Sequence, residues 1–138
     1  MSTEPDRLQI PAEMAAAVTA HASFSLPTEA CGLVAVDQEG RPRMFYALTN
    51  EAPSPTSFTI AAAEQLGAVR HAERNRWDIG GVMHSHPSGP AVPSPTDARQ
   101  PHDSNWFHLI VGFDPVPHLR AWTITDGMIR ELDIVAVE

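Results

Sequence analysis

The stretch HSHPSGPAVPSPTD, from His84 to Asp97, restricts the fold more than any other part of the chain. Its front end must be extended. Residues i and i+2 of a strand share a face about 6.6 Å apart, so His84 and His86 can lean their rings toward one point. Pro87 has no N–H and ends a sheet ladder, and the Pro- and Gly-containing segment behind it swings the chain back. Ser94, Pro95 and Asp97 then read as a helix start, with Ser at the N-cap, Pro in the first helical position and an acid in the first turn. Strand, reversal and helix are thus packed into one short segment, two imidazoles at one end and a carboxylate at the other.

The rest of the chain supplies partners for that strand, which begins at Ile79. A helix is expected from about Pro11 to Phe24, with Met14, Val18, His21 and Ser25 on one face. ACGLVAV, Ala30 to Val36, is a compact apolar run bounded by turn residues and reads as a buried strand. Arg43 to Thr49 looks like its hairpin partner, and a short strand is expected at Phe58 to Ile60. Ala61 to Trp77 reads as an amphipathic helix with Ala62, Leu66, Val69 and Ala72 in line. Three more strands follow at Trp106–Phe113, Leu119–Thr125 and Met128–Val137, the last two joined by a turn at Asp126-Gly127. Hairpins outnumber crossovers, so the expected class is α+β, helices packed on a mixed sheet. No repeat or long linker divides the 138 residues, and one domain spanning 1–138 is expected.

Composition removes several functions. A net charge of −8 argues against nucleic acid, whose affinity rests on Lys and Arg neutralising phosphates. No apolar run approaches the ~20 residues of a membrane helix, and MSTEPDRLQI has no signal-peptide pattern, which points to the cytoplasm. The single cysteine, Cys31, excludes a Cys-rich zinc module; it is read as a small buried hydrophobe. A metal in this chain must use His and carboxylate. All nine basic residues are Arg. That has two readings: a coding bias, or protection of an enzyme that works among lysine-conjugated modifiers.

Taken singly, each residue of the motif has an ordinary explanation. A His pair can be hydrogen-bonded at a sheet end, Ser94 can serve only as a cap, and Asp97 can serve only the helix dipole. Together, His, His, Pro, Ser and Asp at fixed spacing arise by chance about 3 times in 10 million windows, at roughly one in 20 per position. Of the other histidines, His21 and His71 lie in expected helices, and His102, His108 and His118 lack ligand spacing.

The segment matches, without gap or mismatch, the HxHP, six residues, SxxD signature of the JAMM (MPN+) zinc metallopeptidases. The chain resembles their short bacterial branch from TEACGL to the last strands. The resemblance implies a cytidine-deaminase-like mixed sheet flanked by two main helices, with a short helix after the metal loop. It implies zinc held by His84, His86 and Asp97, with Ser94 steadying an oxyanion and Glu29, in PTEACGL, as general base. Glu51 is the next candidate for that base. Three ligands leave one position open, as in a catalytic zinc site. The implied substrate is a ubiquitin-like or sulfur-carrier protein, cut after its C-terminal Gly-Gly to release cysteine, a short extension or a conjugated lysine. Two alternatives stay open: a metal-free MPN scaffold that only binds partners, and a zinc amidase acting on an unrelated small peptide.

Overall fold

The structure, a computed structural model, describes residues 7–99, 103 and 105–138. Its elements are β1 (Arg7–Pro11), α1 (Ala12–Ser25), β2 (Cys31–Val36), β3 (Pro42–Leu48), α2 (Ala62–Arg74), β4 (Asp78–His86), α3 (Pro95–Arg99), β5 (Phe107–Phe113), β6 (Pro117–Thr125) and β7 (Met128–Val137). The strands form one sheet in the order β1-β7-β6-β5-β4-β2-β3. The β4–β5 and β1–β7 pairs are parallel and the others antiparallel. This is the mixed α+β architecture expected from the alternation of apolar runs, with two main helices and a short third one.

Strand parity decides what each face does. In β4 the odd residue Met83 joins Val34, Leu109 and Val111 beneath α1, which contributes Met14, Val18 and Ala22 at four-residue spacing. Helix α1 touches strands from both ends of the sheet order, β3 and β1 included, so the sheet curls around it. Burying a side chain the size of Met14 or Val18 contributes about 1.5–3 kcal/mol. The even residues of β4 face outward. Val82 packs with Cys31, Leu33, Leu48 and Ala68 of α2. Further along the same face, Ala91, Ile110 and Trp122 form a separate apolar patch under the loop between β4 and α3. His84 is in register with Cys31 on one side and Ile110 on the other. The seam between the two coverings is therefore where the histidines emerge.

Several expectations are corrected. Pro11 does not open α1; it closes β1, a strand not foreseen, in which Leu8 and Ile10 alternate inward and pair in parallel with β7. The second helix ends at Arg74 rather than Trp77. Beyond it Arg76 takes φ 60°, and Trp77 N–H bonds back to the Ala72 carbonyl, a turn that closes the helix. Its inward face carries Ala68 and Ala72, while Leu66 is 49% exposed; small residues let the helix sit close on β2 and β4. The strand expected at Phe58–Ile60 shrinks to one bridge between Asn50 and Ile60. Among the described residues no helix is long and apolar enough to cross a membrane.

Candidate metal centre

The end of β4 and the start of β2 meet here, brought side by side by their antiparallel register. His84 and His86 project from the outward face with ring centroids 5.1 Å apart. Glu29 precedes β2 on the same face, and its Oε1 lies 2.9 Å from Nδ1 of His84, both residues being almost wholly buried. A buried carboxylate is costly without a partner; the His84 ring is that partner. Phe58 stacks on the face of the His84 ring, with centroids 5.1 Å apart and planes at 21°.

His86 is tied at both ring nitrogens. Nδ1 lies 2.9 Å from the Pro90 carbonyl, and Nε2 lies 3.1 Å from Oδ2 of Asp97. Asp97 is held by the helix start that its own sequence encodes. Ser94 Oγ accepts the Asp97 N–H at 3.0 Å, and Asp97 Oδ2 accepts the Ser94 N–H at 2.8 Å. This is a reciprocal capping box, which leaves the Ser94 hydroxyl hydrogen to donate. Burial opposes charge on both residues. For His86 the Asp97 carboxylate and the Pro90 carbonyl outweigh it and raise the pKa. For Asp97 the hydrogen bond to His86, the nearby His84 and the Ser94 N–H outweigh it, and the carboxyl is held far below its ordinary range.

Whether these residues suit zinc can be tested on the His86 contacts. A carbonyl only accepts, so the His86 nitrogen facing Pro90 carries the hydrogen. In a neutral ring Nε2 is then a lone pair aimed at Asp97 Oδ2, itself an acceptor. Two acceptors 3.1 Å apart need a proton or a cation between them. Zinc takes imidazole nitrogen and carboxylate oxygen at ~2.0–2.2 Å, so two of its ligand atoms lie within about 4.4 Å of each other. One atom each from Glu29, His84 and His86 also lie within 4.8 Å of one another. The donor set suits a borderline-soft divalent ion. The ligand atoms that cluster are those of Glu29, His84 and His86, whereas the expected set is His84, His86 and Asp97; Asp97 joins the group through His86, and Ser94 joins it through Asp97.

Glu29, His86, Ser94 and Asp97 line a cleft of about 230 Å³, together with Pro55 and Thr56 and with Pro87, Ser88 and Gly89. A larger cavity of about 580 Å³ lies at the opposite end of the strands, around Leu8, Val36, Phe107 and Leu132, with Arg7, Glu39 and Arg41 among its lining residues. The clustered histidine and carboxylate groups border the smaller space. Cys31 stays in the apolar cluster below α2. Burial first, then the charges of Glu64 and Glu29, push its thiol up to about 12, so it is a packing residue at neutral pH. His21 bonds the Cys31 carbonyl and His71 the Tyr46 hydroxyl, while His108 is buried in β5. His102 lies outside the described residues.

Supporting residues that the sequence reading passed over are now visible. Ser85, wholly buried on the opposite face of β4, accepts the Ala30 N–H at 2.7 Å and so fixes the residue after Glu29. Asn50 donates to the Glu29 and Ser57 carbonyls and accepts from the Ala52 and Thr59 N–H groups. The Glu29 N–H donates to the Ser54 carbonyl at 2.7 Å. None of these has a spacing signal. HSH did place Ser85 between the histidines, facing the other way, and that alternation was the one available hint.

Two histidines at the end of one strand, a carboxylate just before the neighbouring strand and an aspartate held by a capping box thus meet at a narrow cleft on a curled mixed sheet, a donor set that could hold a metal ion. The family described as prokaryotic homologs of the JAB domain matches residues 11–125, and the chain belongs to that family. It is 34% identical over 134 residues to the CysO-cysteine peptidase of Mycobacterium tuberculosis, covering 95% of this chain and 92% of that one. It is 32% identical to a probable TtuB-protein conjugate cleaving protease of Thermus thermophilus, covering 87% and 78%. The solution structure of protein DSY2949 from Desulfitobacterium hafniense superposes with a TM-score of 0.83 at 33% identity, covering 95% and 93%.

Proposed function

We propose that residues 1–138 form one zinc metallopeptidase domain. It hydrolyses the amide after the C-terminal Gly-Gly of a ubiquitin-like or sulfur-carrier protein, releasing cysteine, a short extension or a conjugated lysine. The observation that carries this reading is the acceptor-to-acceptor contact of His86 and Asp97, with His84 and Glu29 beside it, in one cleft. His84, His86 and Asp97 would hold the ion. When bound there, zinc supplies Lewis-acid polarisation of a carbonyl and lowers the pKa of water toward ~7.

The chain's own groups account for the proton movements. Glu29 is fixed at its N–H by Ser54, at its carbonyl by Asn50 and at one oxygen by His84. Its carboxylate takes a proton from the attacking water as oxygen adds to the scissile carbon. It returns that proton to the amine nitrogen as the C–N bond breaks. The Ser94 O–H, whose oxygen is already engaged by the cap, donates to the oxyanion, and a preorganised donor of this kind contributes about 2.7–4 kcal/mol. The lining at Pro55–Thr56 and Ser88–Gly89 leaves a slot suited to an extended tail without Cβ atoms.

The test pairs metal analysis with mass spectrometry of products. Purified protein should carry about one zinc per chain and should cut a sulfur-carrier protein ending Gly-Gly-Cys. Changing the last Gly to Ala should slow the reaction more than changing the leaving group. Equal cleavage of Gly-Gly and Ala-Ala tails would remove the tail-reading part of the proposal. Protein without zinc affinity would remove the metal-centre part.

A further inference from the structure

The loop between β4 and α3 is fastened from the far half of the chain. His86 orients its Nδ1 on the Pro90 carbonyl, and proline has no N–H with which to anchor its own peptide. The residues on either side of Pro90 are held instead. Gly89 accepts the Phe113 N–H through its carbonyl at 2.9 Å. Ala91 accepts the indole N–H of Trp122 through its carbonyl at 2.9 Å, in a buried bond 31 residues apart in sequence. Gly112 stands in register with His86 in the adjacent strand, and a Cβ there would run into the backbone of Pro90 and Ala91. The loop thus lies directly on bare backbone. Trp122 is fixed in turn: the Arg120 guanidinium sits 4.7 Å over its ring and makes two 2.7 Å bonds to Glu131.

We infer that Trp122 is a positioning residue of the metal centre: its indole N–H, by holding the Ala91 carbonyl, keeps the Pro90 carbonyl where it receives the Nδ1–H of His86. The inference rests on the metal-centre reading above for its functional meaning, but the orientation of His86 can be read without metal. Hydrogen bonds to the non-ligating nitrogen fix the tautomer and ring orientation of a metal-binding histidine, and losing such a partner costs about 10–100-fold in affinity. Trp122 stands one link further out. A weakening near 10-fold is therefore expected.

Trp122→Phe keeps an aromatic ring in the patch and removes only the donor. Histidine labelled with ¹⁵N reports the hydrogen bond at each ring nitrogen, measured on metal-free protein at mildly acidic pH, where both nitrogens of His86 carry hydrogen and face Pro90 and Asp97. Wild-type protein should show a hydrogen-bonded Nδ1–H at His86; Trp122→Phe should show that bond weakened and about 10-fold weaker zinc affinity by chelator competition. Gly112→Ala, which pushes the same peptide from beneath, should do likewise and serves if the first variant folds poorly. A lower melting temperature with an unchanged His86 nitrogen pattern and unchanged zinc affinity in both variants overturns the inference and leaves Trp122 a packing residue. Wild-type protein that shows the hydrogen-bonded Nδ1–H, weakened in the variants, but takes up no zinc supports the latch and refutes the metal-centre reading.

Discussion

Replacing Glu29 by Gln is the sharpest perturbation of the proposed chemistry, because it changes one proton-transfer group and almost no shape. The residue is 3% exposed and one oxygen meets His84 Nδ1 at 2.9 Å. A Gln oxygen can accept the same bond, so the ring stays oriented, while a charge-assisted bond becomes a neutral one of roughly half the strength. That difference is about 1 kcal/mol, or roughly 4 °C in melting temperature for a chain of this size. The backbone bonds to Ser54 and Asn50 are untouched. The chemical step should suffer far more, since losing a general base costs about 10²- to 10⁴-fold, equivalent to about 2.7–5.5 kcal/mol of barrier. The assay is kcat/KM on a Gly-Gly-Cys substrate at saturating zinc, beside zinc stoichiometry and a melting curve. Turnover within about threefold of wild type, with zinc retained, would refute Glu29 as base and move attention to Glu51. Loss of zinc instead would make Glu29 a ligand, as its place among the clustered donor atoms permits.

His84→Ala, His86→Ala and Asp97→Ala should each abolish stoichiometric zinc, and a variant that keeps its full metal content by elemental analysis removes that residue from the ligand set. Ser94→Ala should retain zinc and lose about 10²- to 10³-fold in rate through the oxyanion; the cap it also loses is worth ~1 kcal/mol, and a melting curve beside the kinetics separates the two. For chelated protein, the raised pKa of His86 contributes stability that is complete below about pH 6.5 and lost as pH rises through its folded value. The lowered pKa of Asp97 contributes stability that is present above about pH 3.9 and lost as pH falls through its folded value. The pair therefore favours the metal-free fold most between about pH 4 and 6.5. Denaturant titrations across pH should show that maximum moving upward when zinc, which competes with the proton, is added.

The motif from His84 to Asp97 was readable because every part of it acts over short range: a strand's two-residue period, a proline stop and a cap box spanning Ser94 to Asp97. Strands β2 and β4 to β7 were readable for a similar reason, each being an apolar run between turn residues. Strand β1 was not, since its alternation covers only five residues and Pro11 carries a competing preference for helix starts. The inward face of α2 was misread because apolar pattern favours Leu66 over Ala68, whereas close packing on a sheet favours the smaller residue. The residues that steady the site were hidden for another reason. Ser85, Asn50 and Trp122 act on backbone groups 55, 21 and 31 positions away, and no local spacing records a bond of that span.

Asn50 uses both its donors and its acceptor oxygen within one short loop and on the residue that bears the base. Its bonds close the loop at Ala52, Ser57 and Thr59 and leave Pro55 and Thr56, which line the cleft, beyond their reach. Recognition and catalysis therefore share one loop: the Ser54 carbonyl, in the peptide bond to Pro55, accepts the Glu29 N–H, and Ser54 Oγ accepts the Thr56 N–H. A designer who reshapes the slot at Pro55 and Thr56 to admit a different tail must keep the Ser54 carbonyl where it is, because Asn50 secures only the carbonyl end of Glu29.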